Sequence, residues 1–261
     1  MESGVPLKWM DLSPQERLTS QKILMGTDAW IARNINKRIS LPISIHLARW
    51  GVTPNQITTF NILLGILAAA VASQGGYLHF LMGGLLFQLV SIIDGCDGEV
   101  AKLNDCSTRF GSLFDTIGDN LSFVLFIVGV TLGLYQDTHA DWIVWASKTS
   151  IIAFAALLAI MISYLIRQRS ETVSLVKYER EVVSTNFQEG IPAKLVCFGK
   201  FLVKKDFFAF LFFLLAALNL PQGIVFFAAL GTSSVAIILC TLEIKRVVAG
   251  KKAAFDDEVL P

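Results

Sequence analysis

The chain has 261 residues, 54% of them hydrophobic and 16% charged, with 22 Lys+Arg against 21 Asp+Glu. Soluble domains carry about 25% charged residues, so this deficit, a mean hydropathy of +0.59 and 19 phenylalanines exclude an ordinary soluble globule and point to an integral membrane protein. The net charge of +1 says little by itself, because charges in a membrane protein are read by position; no nucleic-acid partner is expected.

The first 53 residues read as an N-terminal segment ahead of the membrane domain. They begin polar and charged, and no cleavable signal peptide is expected there. Within Asp28–Arg49, Trp30, Ile31, Ile35, Ile39, Leu41, Ile43 and Leu47 are mixed with Arg33, Lys37, Arg38 and Arg49. That spacing predicts an amphipathic interfacial helix, and Pro42 predicts a break followed by a bent segment. Thr53-Pro54-Asn55 then opens the first apolar run as an N-cap followed by proline at the first helical position.

Six stretches are expected to cross about 30 Å of hydrocarbon as helices. They are Asn55–Ser73, Tyr77–Val100, Phe110–Leu134, Trp142–Ile166, a short Phe207–Leu218 that extends to Lys205–Leu220 at most, and Gly223–Leu242. Gln74-Gly-Gly76 and Asn219-Leu-Pro221 are the tight turns that antiparallel neighbours need. Arg167–Lys205 is polar and charged and reads as a loop with some helix. With six spans, every Lys and Arg except Lys148 falls on one side, which places both termini in the cytoplasm. The expected fold is therefore an all-α, multi-pass membrane protein: residues 1–53 as a cytoplasmic segment with an amphipathic helix, 54–247 as a six-helix membrane domain, and 248–261 as a cytoplasmic tail.

Four aspartates stand out at the expected cytoplasmic ends of the second and third spans. Asp94 and Asp97 are three residues apart, Asp115 and Asp119 four apart, so on helices each pair shares a face. Carboxylates beside lipid are costly unless paired, metal-bound or facing a wet cavity, and two such faces turned together demand cations. Oxygen-only ligands suit Mg2+ or Mn2+, with Ca2+ also open, and two such ions form a clamp for diphosphate chemistry. Cys96, Cys106, Cys197 and Cys240 form no CxxC pair, and neither a disulfide nor a structural zinc is expected. His46, His79 and His139 do not cluster, and no chemistry is assigned to them.

The string Asp94-x-x-Asp97-Gly98-x-x-Ala101-Lys102, eight residues, then Gly111-x-x-x-Asp115-x-x-x-Asp119 resembles the signature of the CDP-alcohol phosphotransferases, also called CDP-alcohol phosphatidyltransferases. One position departs from it: Lys102 stands where the family usually has arginine, keeping the charge but losing the planar fork. The resemblance implies a transferase that joins an acceptor hydroxyl to the phosphate of a CDP-alcohol and releases CMP, in phospholipid or polar-headgroup biosynthesis. It implies Asp94, Asp97, Asp115 and Asp119 as ligands of two divalent ions, with Asp119 also the general base. It further implies Gly98, Ala101, Lys102 and Gly111 around the nucleotide, and a homodimer among membrane lipids. Asn55 and Thr58 are either nucleotide contacts or helix-start caps. Arg109, Lys204 and Lys205 either hold an acceptor phosphate or serve lipid headgroups and orientation, and Asp206 is placed to orient one of the two lysines.

The acceptor, a lipid alcohol or a soluble polyol phosphate, is left open. Glu99 resembles the branch of the family that joins CDP-inositol to inositol phosphate, whereas Asn120 departs from the arginine expected after the last aspartate. A divalent-cation transporter is the alternative of another class, although no internal repeat of the kind transporters carry is present.

Overall fold

The computed structural model describes residues 12–27, 30–168 and 205–259, with side chains for all of these except 109, 161–168 and 242–259. Lys204 and most of the loop expected before it, together with Cys197, lie outside the described residues. The described part is helical throughout. Helices α1 (Pro14–Met25), α2 (Lys37–Arg49), α3 (Pro54–Ala72), α4 (Gly76–Leu103), α5 (Arg109–Thr138), α6 (Asp141–Gln168), α7 (Lys205–Ala217) and α8 (Pro221–Val259) follow in order, with a π-helical turn at Ala32–Asn36 leading into α2.

Five of these helices are long and apolar enough to cross a membrane: α3, α4, α5, α6 and α8. Helix α7, where a sixth span was expected, has 13 residues and is about 20 Å long at 1.5 Å per residue. Helix α8 continues to Val259, through the boundary expected between residues 247 and 248. The chain forms two compact units, one containing residues up to Ser147 and Lys204–Phe226, the other Lys148–Val203 and Phe227 onward. In the second unit, Thr232 Oγ1 donates to its own helix at Ala228 O at 2.7 Å and lies 3.3 Å from Ser150 Oγ, which satisfies a buried hydroxyl.

The first unit holds the aspartates. Helices α3 and α5 touch backbone to backbone, because a Cβ on Gly129 or Gly133 would strike the Ala69 or Ala72 carbonyl oxygen. In lipid, where neighbouring side chains gain nothing from leaving water, such small-residue contacts hold helices together. Phe87 of α4, Phe126 of α5 and Phe212 of α7 are fully buried. They stack as a trio, with centroids 4.2 Å apart for Phe87–Phe126 and 6.2 Å for Phe87–Phe212. This apolar block fixes α7 against the helices that carry the motif.

The N-terminal region differs from expectation in two ways. Pro42 does not break the helix: α2 runs through it from Lys37 to Arg49. Proline removes one backbone donor, and the carbonyl that loses it belongs to Arg38, an exposed residue. Helix α1 was not anticipated, although Ser13-Pro14-Gln-Glu16 signals it. The Ser13 amide donates to Glu16 Oε2 at 2.7 Å and the Glu16 amide to Ser13 Oγ at 3.2 Å, a reciprocal cap. Leu12, Ile23, Leu41 and Ile45 then pack α1 onto α2, with Leu103 of α4 against them.

Candidate active site

Thr53 caps α3 while its amide donates to the Gln56 side-chain oxygen at 2.9 Å, so Pro54 starts the helix and Asn55 and Thr58 follow on its first turns. Helices α4 and α5 are joined by a short turn in which Asp105 takes φ +49° and the Cys106 amide donates to Ala101 O at 2.9 Å. Thr108 caps α5 by accepting from the Gly111 amide at 3.0 Å. These three helix ends enclose a cleft of about 370 Å3, within the size range of small-molecule sites.

Its walls include every residue expected around the nucleotide: Asn55, Thr58, Gly98, Ala101, Lys102 and Gly111, together with Asp97 and Asp115. Gly98 opens directly onto empty space, and a Cβ placed there would meet nothing within 4 Å. At Gly111 a Cβ would come within 3.2 Å of Asn55 Oδ1. The two glycines therefore preserve room in the cleft rather than relieve backbone strain. Cys106, Ser107, Thr108 and Ser112 also line it; sequence reasoning missed them, although all but Ser112 occupy the eight-residue interval between the two halves of the motif.

The four aspartates come together, but in two environments. Asp97 is buried and its Oδ2 accepts from Thr58 Oγ1 at 2.6 Å, so Thr58 is a partner of the motif and not the α3 cap. Asp94 and Asp119 converge on Lys205 Nζ, which lies 3.1 Å from Asp94 Oδ1 and pairs with Asp119 Oδ1. Oxygens of Asp94, Asp115 and Asp119 all lie within 4.8 Å of one another. One ammonium among four carboxylates leaves a surplus of negative charge that mutual repulsion would drive apart without further cations. Asp115 Oδ1 is buried with no hydrogen-bond partner among the described residues. An orphaned carboxylate oxygen in an all-oxygen cluster fits a hard divalent ion.

The residues expected at the acceptor fare differently. Lys205 turns inward onto Asp94 and Asp119 instead of standing free at the rim. Lys204 and the Arg109 side chain lie outside the described residues. Asp206 makes no direct bond to a lysine among the described residues: its Oδ1 accepts from Asn36 Nδ2 at 2.6 Å and Ser91 Oγ at 2.9 Å. Glu99 faces away from the cleft, 1% exposed, and accepts from three groups of α2. These are Lys37 Nζ at 2.6 Å, Ser40 Oγ at 2.8 Å and Ser44 Oγ at 2.6 Å. It anchors the N-terminal helix, and its partners lie 55 to 62 residues earlier in the chain.

Residues 51–239 match the CDP-alcohol phosphatidyltransferase family, and the chain belongs to that family. Among curated proteins it is 31% identical over 250 residues to the bifunctional IPC transferase and DIPP synthase of Archaeoglobus fulgidus, covering 90% of this chain and 44% of the relative. It is 35% identical over 164 residues to the protein of the same name from Aquifex aeolicus, covering 60% of this chain and 35% of the relative. It is also 25% identical over 111 residues to cholinephosphotransferase 1 of Rattus norvegicus, covering 40% of this chain and 28% of the relative. The chain thus spans less than half the length of these relatives.

Proposed function

We propose that this chain transfers a substituted phosphate group from a CDP-alcohol to an acceptor hydroxyl and releases CMP. The observation that carries the proposal is the cleft itself: the six residues expected to surround a nucleotide line it, and Asp97 and Asp115 face it from one side. Asp94, Asp97, Asp115 and Asp119 would hold Mg2+ or Mn2+, two ions being the reading the acid count favours. Bound there, divalent cations would neutralise the diphosphate and stabilise charge on the attacked phosphorus and on departing CMP. Thr58 holds Asp97 in place, Lys102 stands at the cleft mouth as a point charge for phosphate, and Gly98 and Gly111 give the nucleotide its space.

Asp119 is the general base in this scheme. Lys205 occupies its Oδ1, leaving Oδ2 to take the acceptor proton as the acceptor oxygen bonds to phosphorus and the bond to CMP breaks. Asp119 and Asp115 share a face one helical turn apart, so the base lies a turn deeper than the cleft wall. Lys204 and Arg109 stay as acceptor-phosphate candidates on sequence position alone.

The membrane arrangement belongs to the same proposal. Helix α7, with the residues after it up to Leu220, is a sixth span, the π-turn and α2 form an interfacial helix, and both termini and the aspartates lie on the cytoplasmic side. Trp30, Ile39, Ile43 and Trp50 are exposed on the N-terminal helical segment, while Asn36, Ser40 and Ser44 are buried. That distribution supports apolar side chains offered to lipid, with the buried side, which carries Leu41 and Ile45 beside these polar groups, docked on the protein. Residues 1–53, 54–247 and 248–261 remain the proposed divisions, with a homodimer as the proposed assembly.

A second reading of the acceptor is favoured by the relatives. The match covering 90% of this chain carries DIPP synthase in its name, which supports CDP-inositol as donor and a soluble inositol phosphate as acceptor. Glu99 lends that reading nothing, since it is spent on α2. Supplying purified protein and Mg2+ with paired CDP-alcohols and acceptors, then partitioning the product between water and organic solvent, separates the two. A water-soluble phosphodiester from CDP-inositol is the outcome for the second reading. An organic-phase product formed only with a lipid acceptor would eliminate it.

A further inference from the structure

Asp206 and Glu99 have no place in the chemistry proposed above, yet both are tied to the N-terminal helical segment, and they flank the acid motif from either side. On one side, Asn36 Nδ2 donates to Asp206 Oδ1 at 2.6 Å and to Ser91 Oγ at 3.2 Å. Asn36 Oδ1 in turn accepts from Gln88 Nε2 at 3.0 Å. Asn36 is 3% exposed and ends the π-helical turn Ala32–Asn36, a deformation that recurs where a helix must aim a side chain. On the other side lies the Glu99 cluster, and between the two α2 presses on the motif. A Cβ at Gly95 would meet Lys37 Nζ at 3.2 Å and Ser40 Oγ at 3.5 Å.

We infer that Asn36 is a positioning residue for the acid cluster, acting through Asp206 to hold Lys205 on Asp94 and Asp119. Asp206 is adjacent to Lys205 at the start of α7. A carboxylate accepting two short hydrogen bonds fixes that helix end in direction as well as position. Ser91 is one turn before Asp94 on α4, so the same carboxylate ties α7 to the segment that carries the first acid. Without that clamp only charge attraction keeps the ammonium of the Lys205 stem, with its four flexible carbons, between the two carboxylates. Polar networks of this kind favour one arrangement, and removal of one member loosens the rest. The inference rests on the proposed role of Asp119, because that is what gives the position of Lys205 a consequence for turnover.

Competitive labelling of lysines reads the position of Lys205 without reference to turnover. The protein in detergent micelles is exposed to an amine-acylating reagent, and the rates at Lys205 and Lys102 are compared by mass spectrometry. Asn36→Ala is expected to raise the Lys205 rate about five-fold or more relative to Lys102, and Ser91→Ala to raise it by less. General loosening would raise both lysines together, so an unchanged ratio in the two variants overturns the inference. Should Asn36→Ala not fold, Ser91→Ala alone decides, by the same ratio.

In CMP release, Asn36→Ala is expected to lower kcat with little change in KM for the CDP-alcohol. It should add no further loss to Lys205→Met, the non-additivity of residues acting in one chain. Full additivity of the two losses would contradict action through Lys205. A parent protein that releases no CMP from any donor would sink the proposed function, while the labelling ratio would still judge the clamp.

Discussion

At the residue scale, the four aspartates are distinguished by what each already holds. Asp97 is engaged by Thr58 and Asp119 by Lys205; Asp94 Oδ1 lies in ion-pair reach of Lys205, yet like Asp115 Oδ1 it accepts no hydrogen bond among the described residues. Asp119→Asn is expected to cut CMP release by about 10^2–10^4-fold, the usual worth of a general base, while CDP-alcohol binding is largely spared. Turnover at the parent rate would remove Asp119 from that role. Asp94→Asn and Asp97→Asn should instead weaken nucleotide binding most at limiting Mg2+, as isothermal titration across metal concentrations would reveal. Gly98 and Gly118 make a contrasting pair. A side chain at 98 enters open space, so Gly98→Leu should keep the thermal midpoint and lose CDP-alcohol affinity. A Cβ at 118 would lie 2.8 Å from Ile62 Cδ1, and Gly118→Ala should destabilise by about 1–3 kcal/mol through overpacking. Equal effects of the two on stability would contradict the assignment of the cleft. That each acid pair shares a helix face was legible from spacing, because both helices are regular and a fixed interval on a helix fixes a face; the place of Gly98 and Gly111 beside a nucleotide came from the family resemblance. Lys205 was misplaced because its partners Asp119 and Asp94 are 86 or more positions away, beyond the reach of any local pattern.

At the element scale, the N-terminal helices are held by charge and hydrogen bonds as well as by apolar contact. Glu99 is fully buried against Lys37, Ser40 and Ser44, so Glu99→Ala leaves an ammonium without its counter-ion. Breaking such a pair costs about 3–5 kcal/mol; the expected result is a lower unfolding midpoint in detergent and earlier proteolysis ahead of Thr53. An unchanged midpoint would mean that α2 is held some other way. At the outer end, Arg49 Nε and Nη2 each donate to Glu16 at 2.9 Å. That fork, with the Ser13 cap, lowers the Glu16 carboxyl from its ordinary 4.5 to about 2. A depressed folded-state value contributes stability above the ordinary value of 4.5 that fades as pH falls toward the folded one. Amide protection in α1 should therefore persist at about pH 5 and decline below about pH 4.5; in Arg49→Ala the pH dependence should flatten. An undiminished dependence in that variant would assign the shift to the cap alone. That a helix lies within the segment holding α2 was readable in the sequence. Its continuity through Pro42 was not, because the cost of proline depends on whether the orphaned carbonyl reaches water, and that is a tertiary fact.

At the scale of the whole molecule, an apolar scaffold carries a polar, acid-rich site on one group of helix ends. Hydropathy alone showed the long helices, since a window of about 20 apolar residues is its own signal. The short α7 defeats that test, yet it brings Lys205 to the acids and Phe212 to the core. The six-span topology predicts that cysteines placed near residue 20 and near residue 255 react with a membrane-impermeant thiol reagent only from the cytoplasmic side. Labelling of the two from opposite sides would refute it. A transporter would use the same acids differently, moving divalent ions without consuming a nucleotide. The decisive measurement is CMP formation by purified protein given a panel of CDP-alcohols and acceptors, with Mg2+ or with chelator. The account predicts CMP from at least one donor–acceptor pair, dependent on the divalent ion and lost in Asp119→Asn. Divalent-ion flux in proteoliposomes with no CMP from any pair would contradict it.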